Sequence, residues 1–277
     1  MRKLPLHEGA RGLEDDCAVL EFGGEALILT HDAMAEGTHF RPDADMADVA
    51  WKLVASNLSD LAAKGAEPIG VLLGHCLDTD NAGFAKGLSE ALNTFNVTLL
   101  GGDTIKAQGP SVFGLTAIGK ATHTPVPRRG GAQPGDNIYV TGKLGRAMLG
   151  YEGDPTHIEA FNRPTPRIAE GQELAPVVSA MMDISDGLLL DAFRMAQASF
   201  NTTFKLNSDL IPVADASRIQ ECIRWGDDYE LLFTAPPTTS LPVPATQIGT
   251  IAFEDIAPIW LDGEILIKPA DLGYQHS

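Results

Sequence analysis

A segment rich in proline and glycine divides the 277-residue chain into two halves. Residues 122–136 contain three prolines and three glycines, a composition typical of a boundary and not of a helix or strand interior. On both sides of it, short aliphatic and β-branched runs alternate with helical patterns. Such alternation predicts a mixed α/β architecture. We therefore expect two domains, residues 1–128 and residues 129–277.

The periodicity of apolar residues predicts the individual elements. Phe84, Leu88, Leu92 and Phe95 form a stripe at helical spacing, which indicates an amphipathic helix over residues 81–95. Further helices are predicted at residues 47–66, 145–151, 167–174 and 187–199. Strands are predicted at residues 26–30, 70–77, 97–100, 111–118, 137–141, 177–182, 229–234, 246–251 and 264–267.

Composition excludes several classes of function. The chain has 20 Lys and Arg against 37 Asp and Glu, a formal net charge of −17, so nucleic acid is not an expected partner. No apolar run reaches the ~20 residues that cross a bilayer, and the first residues lack the apolar stretch of a signal peptide. The three cysteines are too scattered for a disulfide framework or a Cys-type zinc site. We expect a soluble, cytoplasmic protein without a membrane partner.

Aspartates recur beside glycine, serine or threonine at turn-like sites. These sites are residues 14–16, 30–32, 57–60, 101–104 and 183–187. Three of them follow strand-like runs directly, so we expect their carboxylates at the rim of a sheet, where ligand sites concentrate. Mg²⁺ is bound by a few carboxylates together with substrate phosphates, whereas the spacings fit neither an EF-hand nor a zinc site. The pattern therefore indicates a magnesium site.

Each of these sites also has an interpretation that needs no ligand. Asp186 stands where a helix N-cap is expected. Asp60 and Lys64 have the spacing of an i,i+4 ion pair on a solvated helix face. The two glycines before Asp103 fit a plain turn, although they also allow the backbone to approach a ligand closely.

The sequence lacks a convincing phosphate-binding loop. Residues 114–121 approach a P-loop but lack its final Ser or Thr and lie in a strand-like run. The glycines of residues 141–145 fit either a helix N-terminus that meets a phosphate or a plain turn. Like charges ~4 Å apart repel by about 4 kcal/mol at an effective dielectric constant of 20. A triphosphate in a carboxylate-lined pocket therefore requires divalent ions.

Seven motifs in register resemble those of the thiamine-monophosphate kinase family, which belongs to the superfamily of aminoimidazole ribonucleotide synthetase. The motifs are residues 15–20 (DDCAVL), 32–40 (DAMAEGTHF), 57–66 (NLSDLAAKGA), 101–104 (GGDT), 129–136 (RGGAQPGD), 183–187 (DISDG) and 226–233 (GDDYELLF). The resemblance covers residues 12–234 and a short C-terminal signature. It implies the two-domain fold of that superfamily and a homodimer in which N-terminal strands pair across the subunits.

The resemblance implies ATP- and Mg²⁺-dependent phosphorylation of thiamine monophosphate to thiamine diphosphate by direct in-line transfer. The N-terminal domain would bind ATP and Mg²⁺ and form the dimer, and the C-terminal domain would bind the substrate. Metal-binding positions are then Asp16, Thr30, His31, Asp32, Asp60, Asp103, Asp183 and Asp186. Catalytic positions are Asp103, Asp183, Asp186 and Arg129; ATP contacts are Gly102, Asp103, Arg129 and Ser185; substrate contacts are His39, Asp227 and Tyr274.

Three positions depart from the family pattern: His31 replaces a usual hydroxyl residue, Asp227 replaces a glutamate and Glu14 replaces a glycine. The second half is also shorter than in typical members.

Two other functions stay open. One alternative is another ATP-dependent enzyme of the superfamily, such as selenophosphate synthetase or a hydrogenase-maturation dehydratase, although their reactive cysteines have no counterpart here. The other is a non-catalytic nucleotide-binding paralogue. Apart from the resemblance, His39, Trp225 and Tyr274 are also consistent with ordinary packing.

Overall fold

The N-terminal half forms a five-stranded sheet in a computed structural model that describes residues 4–77, 80–200, 202–253 and 258–275. Its strands are β1 (Ala18–Phe22), β2 (Glu25–Ala35), β3 (Ala66–Leu77), β4 (Thr98–Lys106) and β5 (Val112–Ala121). The strand order is β1-β2-β5-β3-β4, with only the β3–β4 pair parallel. A Gly-Gly turn with positive φ at both residues joins β1 to β2 and favours a tight hairpin.

Two helices, α1 (Met46–Ala62) and α2 (Asn81–Thr94), pack with this sheet around one hydrophobic core. Asp45 caps α1 by accepting a hydrogen bond from the Ala47 backbone N–H at 2.8 Å, which satisfies an unpaired donor of the first turn. The predicted apolar stripe of α2 points into the core, where Phe84 is 2% exposed. The amphipathic helix predicted at this position is confirmed.

The C-terminal half forms a seven-stranded sheet with helices packed around it. The elements are β6 (Asn137–Val140), α3 (Arg146–Tyr151), α4 (Ile158–Asn162), α5 (Ile168–Leu174), β7 (Ala180–Asp183), α6 (Leu188–Ala198), β8 (Thr202–Leu206), α7 (Ile219–Cys222), β9 (Leu231–Ala235), β10 (Thr246–Phe253), β11 (Ile259–Leu261) and β12 (Glu264–Leu266). The strand order is β12-β11-β8-β10-β6-β9-β7, and only β8 and β11 pair in parallel. The apolar face of α6 contributes most of its residues to the core of this half.

Helix α1 joins the two halves. Its Ala62 and the adjacent Ala63 share a buried cluster with Leu174 and Met181 of the C-terminal half. Gly171 permits this packing, because a Cβ at that position would lie 2.0 Å from the Ala62 carbonyl oxygen. The two sheets therefore do not form separate bodies but meet across one buried helix.

The structure confirms the mixed α/β class and most of the predicted elements. Strands β1, β8 and β11 and the short helices α4 and α7 were not predicted. Strands β2 and β4 extend beyond their predicted ends, so residues 30–32 and 101–104 lie inside strands rather than in turns. Main-chain pairing with β5 and β3 continues through these polar residues, and their sequence gives no sign of it. Residues 114–121 lie in β5, which confirms that they do not form a P-loop.

Candidate active site

Three aspartates from distant segments converge beside α1. Asp16 precedes β1, Asp60 lies in the last turn of α1, and Asp183 ends β7. One oxygen from each carboxylate lies within 4.8 Å of the other two. Hard oxygen donors at this spacing suit Mg²⁺ and not a metal that prefers sulfur or imidazole. We call these three residues the aspartate triad.

The basic groups around the triad do not neutralise all of its negative charge. Burial, together with repulsion from Asp16, raises the pKa of Asp183 to about 8. Burial, followed by the charges of Asp32 and Asp183, also raises the pKa of Asp60 well above its ordinary value. A carboxylate cluster of this kind binds protons tightly when no cation is present. A divalent cation supplies the opposite charge, so the residues present fit Mg²⁺.

Two basic side chains hold Asp16. Arg129 donates from Nε to one carboxylate oxygen at 2.8 Å, and Lys64 Nζ lies 2.6 Å from the other. Lys64 is fully buried and also pairs with Asp15 at 2.5 Å. The prediction of a solvated i,i+4 ion pair between Asp60 and Lys64 is therefore wrong. Helix α1 ends at Ala62, and the turn that follows carries Lys64 into the interior.

Strand β2 divides its predicted ligands between two faces. Thr30 is 7% exposed and donates from Oγ1 to Asp60, and Asp32 lies on the same face because side chains alternate along a strand. The His31 side chain is exposed on the other face, where Nδ1 lies 2.9 Å from Thr116 Oγ1. Thr30 and Asp32 thus adjoin the triad, and His31 does not.

The motif around Asp103 lies far from the triad within one chain. Paired residues run across the sheet from Ala33 through Gly114 and Gly74 to Asp103. Three strand spacings separate the ends of this row by about 14 Å. Gly102 packs so closely that a Cβ would lie 1.9 Å from the Leu73 carbonyl oxygen. The predicted metal and ATP contacts of this motif therefore stay predictions.

The loop after β7 is held by an aspartate that sequence reasoning missed. Asp191 is fully buried and accepts hydrogen bonds from the backbone N–H groups of Ser185 and Asp186, both at 3.1 Å. The Asp186 carboxylate instead pairs with Arg194. Asp186 is therefore not the N-cap of α6, which begins after Gly187 without a side-chain cap. The available signal was one acidic residue within the apolar run of α6.

A cleft of about 620 Å³ opens beside the triad and contains all three predicted substrate contacts, His39, Asp227 and Tyr274. Asp32, Ser185 and Asp186 line the same cleft and connect it to the metal side. The backbone N–H of Tyr274 donates to the Asp186 carbonyl oxygen at 2.9 Å, which anchors the C-terminal segment there. The predicted ATP-contacting residue Ser185 and the predicted substrate contacts thus share one cavity.

Aromatic side chains line one wall of the cleft, and Lys52 packs against one of them. The Tyr151 ring lies 5.2 Å from Phe161 and 5.1 Å from Trp225, measured between centroids. Lys52 Nζ lies 3.8 Å from the Phe161 ring centroid and 2.7 Å from an Asp227 carboxylate oxygen. The wall therefore presents flat rings, on which an aromatic ligand can stack.

Asp227 has two partners in the cleft and an unusual backbone conformation. Its φ is 64°, a region that non-glycine residues rarely adopt. Its carboxylate accepts from Lys52 and, at 3.1 Å, from the Tyr229 hydroxyl. The aspartate that departs from the family pattern is thus fixed in place at the cleft by these contacts.

In the glycine-rich turn at residues 141–145, two backbone N–H groups at the start of α3 already have a hydrogen-bond partner. The Asp228 carboxylate accepts from the Gly145 backbone N–H at 2.8 Å and from that of Ala147 at 3.3 Å. These two donors are therefore not available to a phosphate, which favours the plain-turn interpretation.

Comparisons with known proteins agree with this site. A family model, AIR synthase related protein, N-terminal domain, matches residues 14–121. A thiamine-monophosphate kinase of Salmonella typhimurium is 37% identical over 265 residues, which cover 86% of this chain and 81% of the relative. The chain belongs to the thiamine-monophosphate kinase family. A family member from Methanospirillum hungatei is 35% identical over 97% of this chain and 94% of its own length.

Solved structures of the family have the same fold. A thiamine monophosphate kinase from Aquifex aeolicus has a TM-score of 0.82 and 27% identity over 91% of this chain and 92% of its own. A second solved chain, AaThiL complexed with AMPPCP and TMP, has a TM-score of 0.83 and 27% identity over 95% and 97%. The predicted family and fold are confirmed. Among the described residues, no helix combines the length and apolarity needed to cross a bilayer.

Proposed function

We propose that this chain transfers the γ-phosphoryl group of ATP to thiamine monophosphate, giving thiamine diphosphate and ADP. The observation that carries the proposal is the aspartate triad at the edge of a cleft lined by His39, Asp227 and Tyr274. Family members carry the name of this activity, and a structural neighbour binds an ATP analogue and TMP.

We infer that Mg²⁺ is the metal and that Asp16, Asp60 and Asp183 bind it, with Asp32 beside them. When bound, Mg²⁺ neutralises the phosphate oxygens and so permits a polyphosphate to approach this acidic site. Of the remaining predicted metal contacts, Thr30 and Asp186 are part of the proposal, whereas within one chain His31 and Asp103 do not adjoin this site. Thr30 supports it through its hydrogen bond to Asp60.

The chain's own residues position the reactants. Arg129, which is paired with Asp16, would contact a phosphate oxygen bound at the triad, and pairs of arginine with phosphate are often bidentate. Asp191 fixes the Ser185–Asp186 backbone at the edge of the cleft. Transfer without a covalent enzyme intermediate needs positioning and charge neutralisation, which these groups provide.

The aromatic wall fits the thiamine moiety. The thiazolium ring of thiamine is flat and cationic, and aromatic faces such as those of Tyr151 and Trp225 attract cations. Lys52 and Asp227 pair with each other, whereas Arg41 lies over the Tyr151 ring, with Cζ 4.5 Å from the centroid, so the Trp225 face is the better candidate for the thiazolium ring. Tyr274 and His39 would contact the same ligand.

We further propose a homodimer formed through the N-terminal sheet. All nine residues of the edge strand β4 are exposed, and its Leu99, Leu100 and Ile105 are 47%, 52% and 54% exposed. An unpaired apolar edge is a template for pairing with another strand. Asp103 lies on this strand and would then stand at the subunit interface. Cytoplasmic localisation and the division into an ATP-binding and a substrate domain stay predictions.

An ADP-release assay with thiamine, thiamine monophosphate and aminoimidazole precursors tests the proposal. We expect ADP release only with thiamine monophosphate and Mg²⁺, and its loss in Asp60→Asn. The matched control is Asp209→Asn, which changes an exposed aspartate outside the cleft. Equal rates in EDTA and in Mg²⁺ would contradict the metal role, and ATP binding without turnover on any acceptor would favour the non-catalytic alternative.

A further inference from the structure

A second, smaller pocket of about 130 Å³ lies on the other side of residues 227–230, which bound the cleft. Side chains of this segment alternate between the two cavities. Asp227 and Tyr229 line the cleft, whereas Asp228 and Glu230 line the small pocket. The segment is therefore a shared wall, and the small pocket is distinct from the proposed active site.

Four basic side chains line the small pocket in a chain whose formal net charge is −17. Two of them have two carboxylate partners each: Arg163 pairs with Asp48 at 2.5 Å and Glu90 at 2.8 Å, and Arg167 pairs with Glu230 at 2.6 Å and Glu170 at 3.3 Å. The other two, Lys143 and Arg146, are exposed, and within the described ranges the structure gives neither side chain an ion pair or a hydrogen bond. Lys143 and Arg146 are thus the basic side chains of the pocket that a ligand could contact without displacing a carboxylate.

Two of the carboxylates that line the small pocket, Glu230 and Asp228, already accept hydrogen bonds from the protein. Glu230 accepts from Thr141 Oγ1 at 2.7 Å and from Arg167 Nε at 2.7 Å. Asp228 accepts from two backbone N–H groups of the turn before α3, and burial raises its pKa to about 8. Among the lining carboxylates, only Glu159, which is exposed, is left to oppose Lys143 and Arg146.

We propose that this pocket binds a phosphate dianion, either free or at the end of a phosphomonoester, through Lys143 and Arg146. A guanidinium presents paired donors that match phosphate oxygens, and an ammonium adds a mobile point charge. Arg163 and Arg167 line the same pocket but are bound by carboxylates. The inference goes beyond the proposed kinase activity, which uses the cleft on the opposite side of the shared wall.

Calorimetric titration of the full chain with inorganic phosphate tests this site. EDTA is present so that no divalent ion holds phosphate at the aspartate triad. We expect a dissociation constant of about 1 mM or tighter, and at least tenfold (~1.4 kcal/mol) weaker binding in Lys143→Ala/Arg146→Ala. Lys86→Ala/Lys120→Ala removes the same charge from two exposed lysines elsewhere and should retain the affinity. Tyr274→Ala, which alters the cleft, should retain it too.

Three results would overturn the proposal: no saturable binding by the wild type, equal weakening in the Lys86/Lys120 control, or loss of binding in Tyr274→Ala with none in Lys143→Ala/Arg146→Ala. A parallel titration with glycerol 3-phosphate separates the two sources. Binding of both ligands assigns the pocket to phosphomonoesters, and binding of inorganic phosphate alone assigns it to the free dianion. The single variants Lys143→Gln and Arg146→Gln should each show part of the loss, which distinguishes lost contacts from a misfolded double variant.

Discussion

Replacing Lys64 with methionine tests the electrostatics of the site most directly. The Lys64 side chain is fully buried and lies between the carboxylates of Asp15 and Asp16, at 2.5 and 2.6 Å. Methionine has nearly the same length but no charge. The substitution therefore leaves two buried carboxylates without their shared cation, while Arg11 and Arg129 still contact one each.

The expected loss of stability is large. Removing one partner of a buried ion pair costs about 3–5 kcal/mol, because the other charge stays buried. Burial opposes the ionisation of Asp15, but Lys64 and Arg11 outweigh it and lower its pKa from 3.8 to about 2. At 1.36 kcal/mol per unit, that difference alone stabilises the folded protein by about 2 kcal/mol. Because the folded pKa is the lower one, this contribution is present above pH 3.8 and is lost as the pH falls towards about 2.

Urea unfolding in EDTA at neutral and acidic pH measures both effects. We expect Lys64→Met to unfold at a much lower urea concentration at neutral pH, with a smaller difference from the wild type in acid. Lys86→Met is the control, since Lys86 is 71% exposed and its 3.9 Å pair with Glu90 contributes about 0–1 kcal/mol. A Lys64→Met variant as stable as the control at every pH would refute the reasoning.

Two further predictions concern the triad and the cleft. Asp183→Asn should abolish Mg²⁺ binding in calorimetry. In EDTA the same substitution should stabilise the protein at neutral pH, because burial raises the pKa of Asp183 in the folded state to about 8. For the same reason the wild type should become more stable as the pH falls from about 8 towards 3.8. A melting temperature of Asp183→Asn below that of the wild type in EDTA at neutral pH would contradict this. Asp227→Ala should raise the KM for thiamine monophosphate about tenfold, with a smaller effect on kcat, because it removes the partner of Lys52 beside the aromatic wall. Asp209→Ala is the control, and an unchanged KM in Asp227→Ala would exclude a substrate role for this carboxylate.

The sequence contained enough to predict the fold class and the convergence of three aspartates. Apolar periodicity identified α2, and the family motifs identified Asp16, Asp60 and Asp183. Both signals are local patterns of residue type, and they can be recognised without knowing which segments contact each other.

Contacts between distant segments could not be predicted. The spacing of Lys64 and Asp60 suggested a surface pair, but the chain turn after α1 carries Lys64 into the interior. Asp191 appeared as one charge in an apolar helix, and its hydrogen bonds to the loop after β7 depend on a tertiary arrangement. The separation of Asp103 from the triad follows from the strand order, which composition does not encode.

The position of α1 limits how the active site can move. The last turn of this helix contributes Asp60, and its Ser59 donates to Asp183 of the C-terminal half at 2.7 Å. A hinge that opened the two halves as rigid bodies would break this hydrogen bond and separate the triad. We therefore expect substrate entry and product release through local motion of the cleft walls, and an ion bound by all three carboxylates would hold the two halves together.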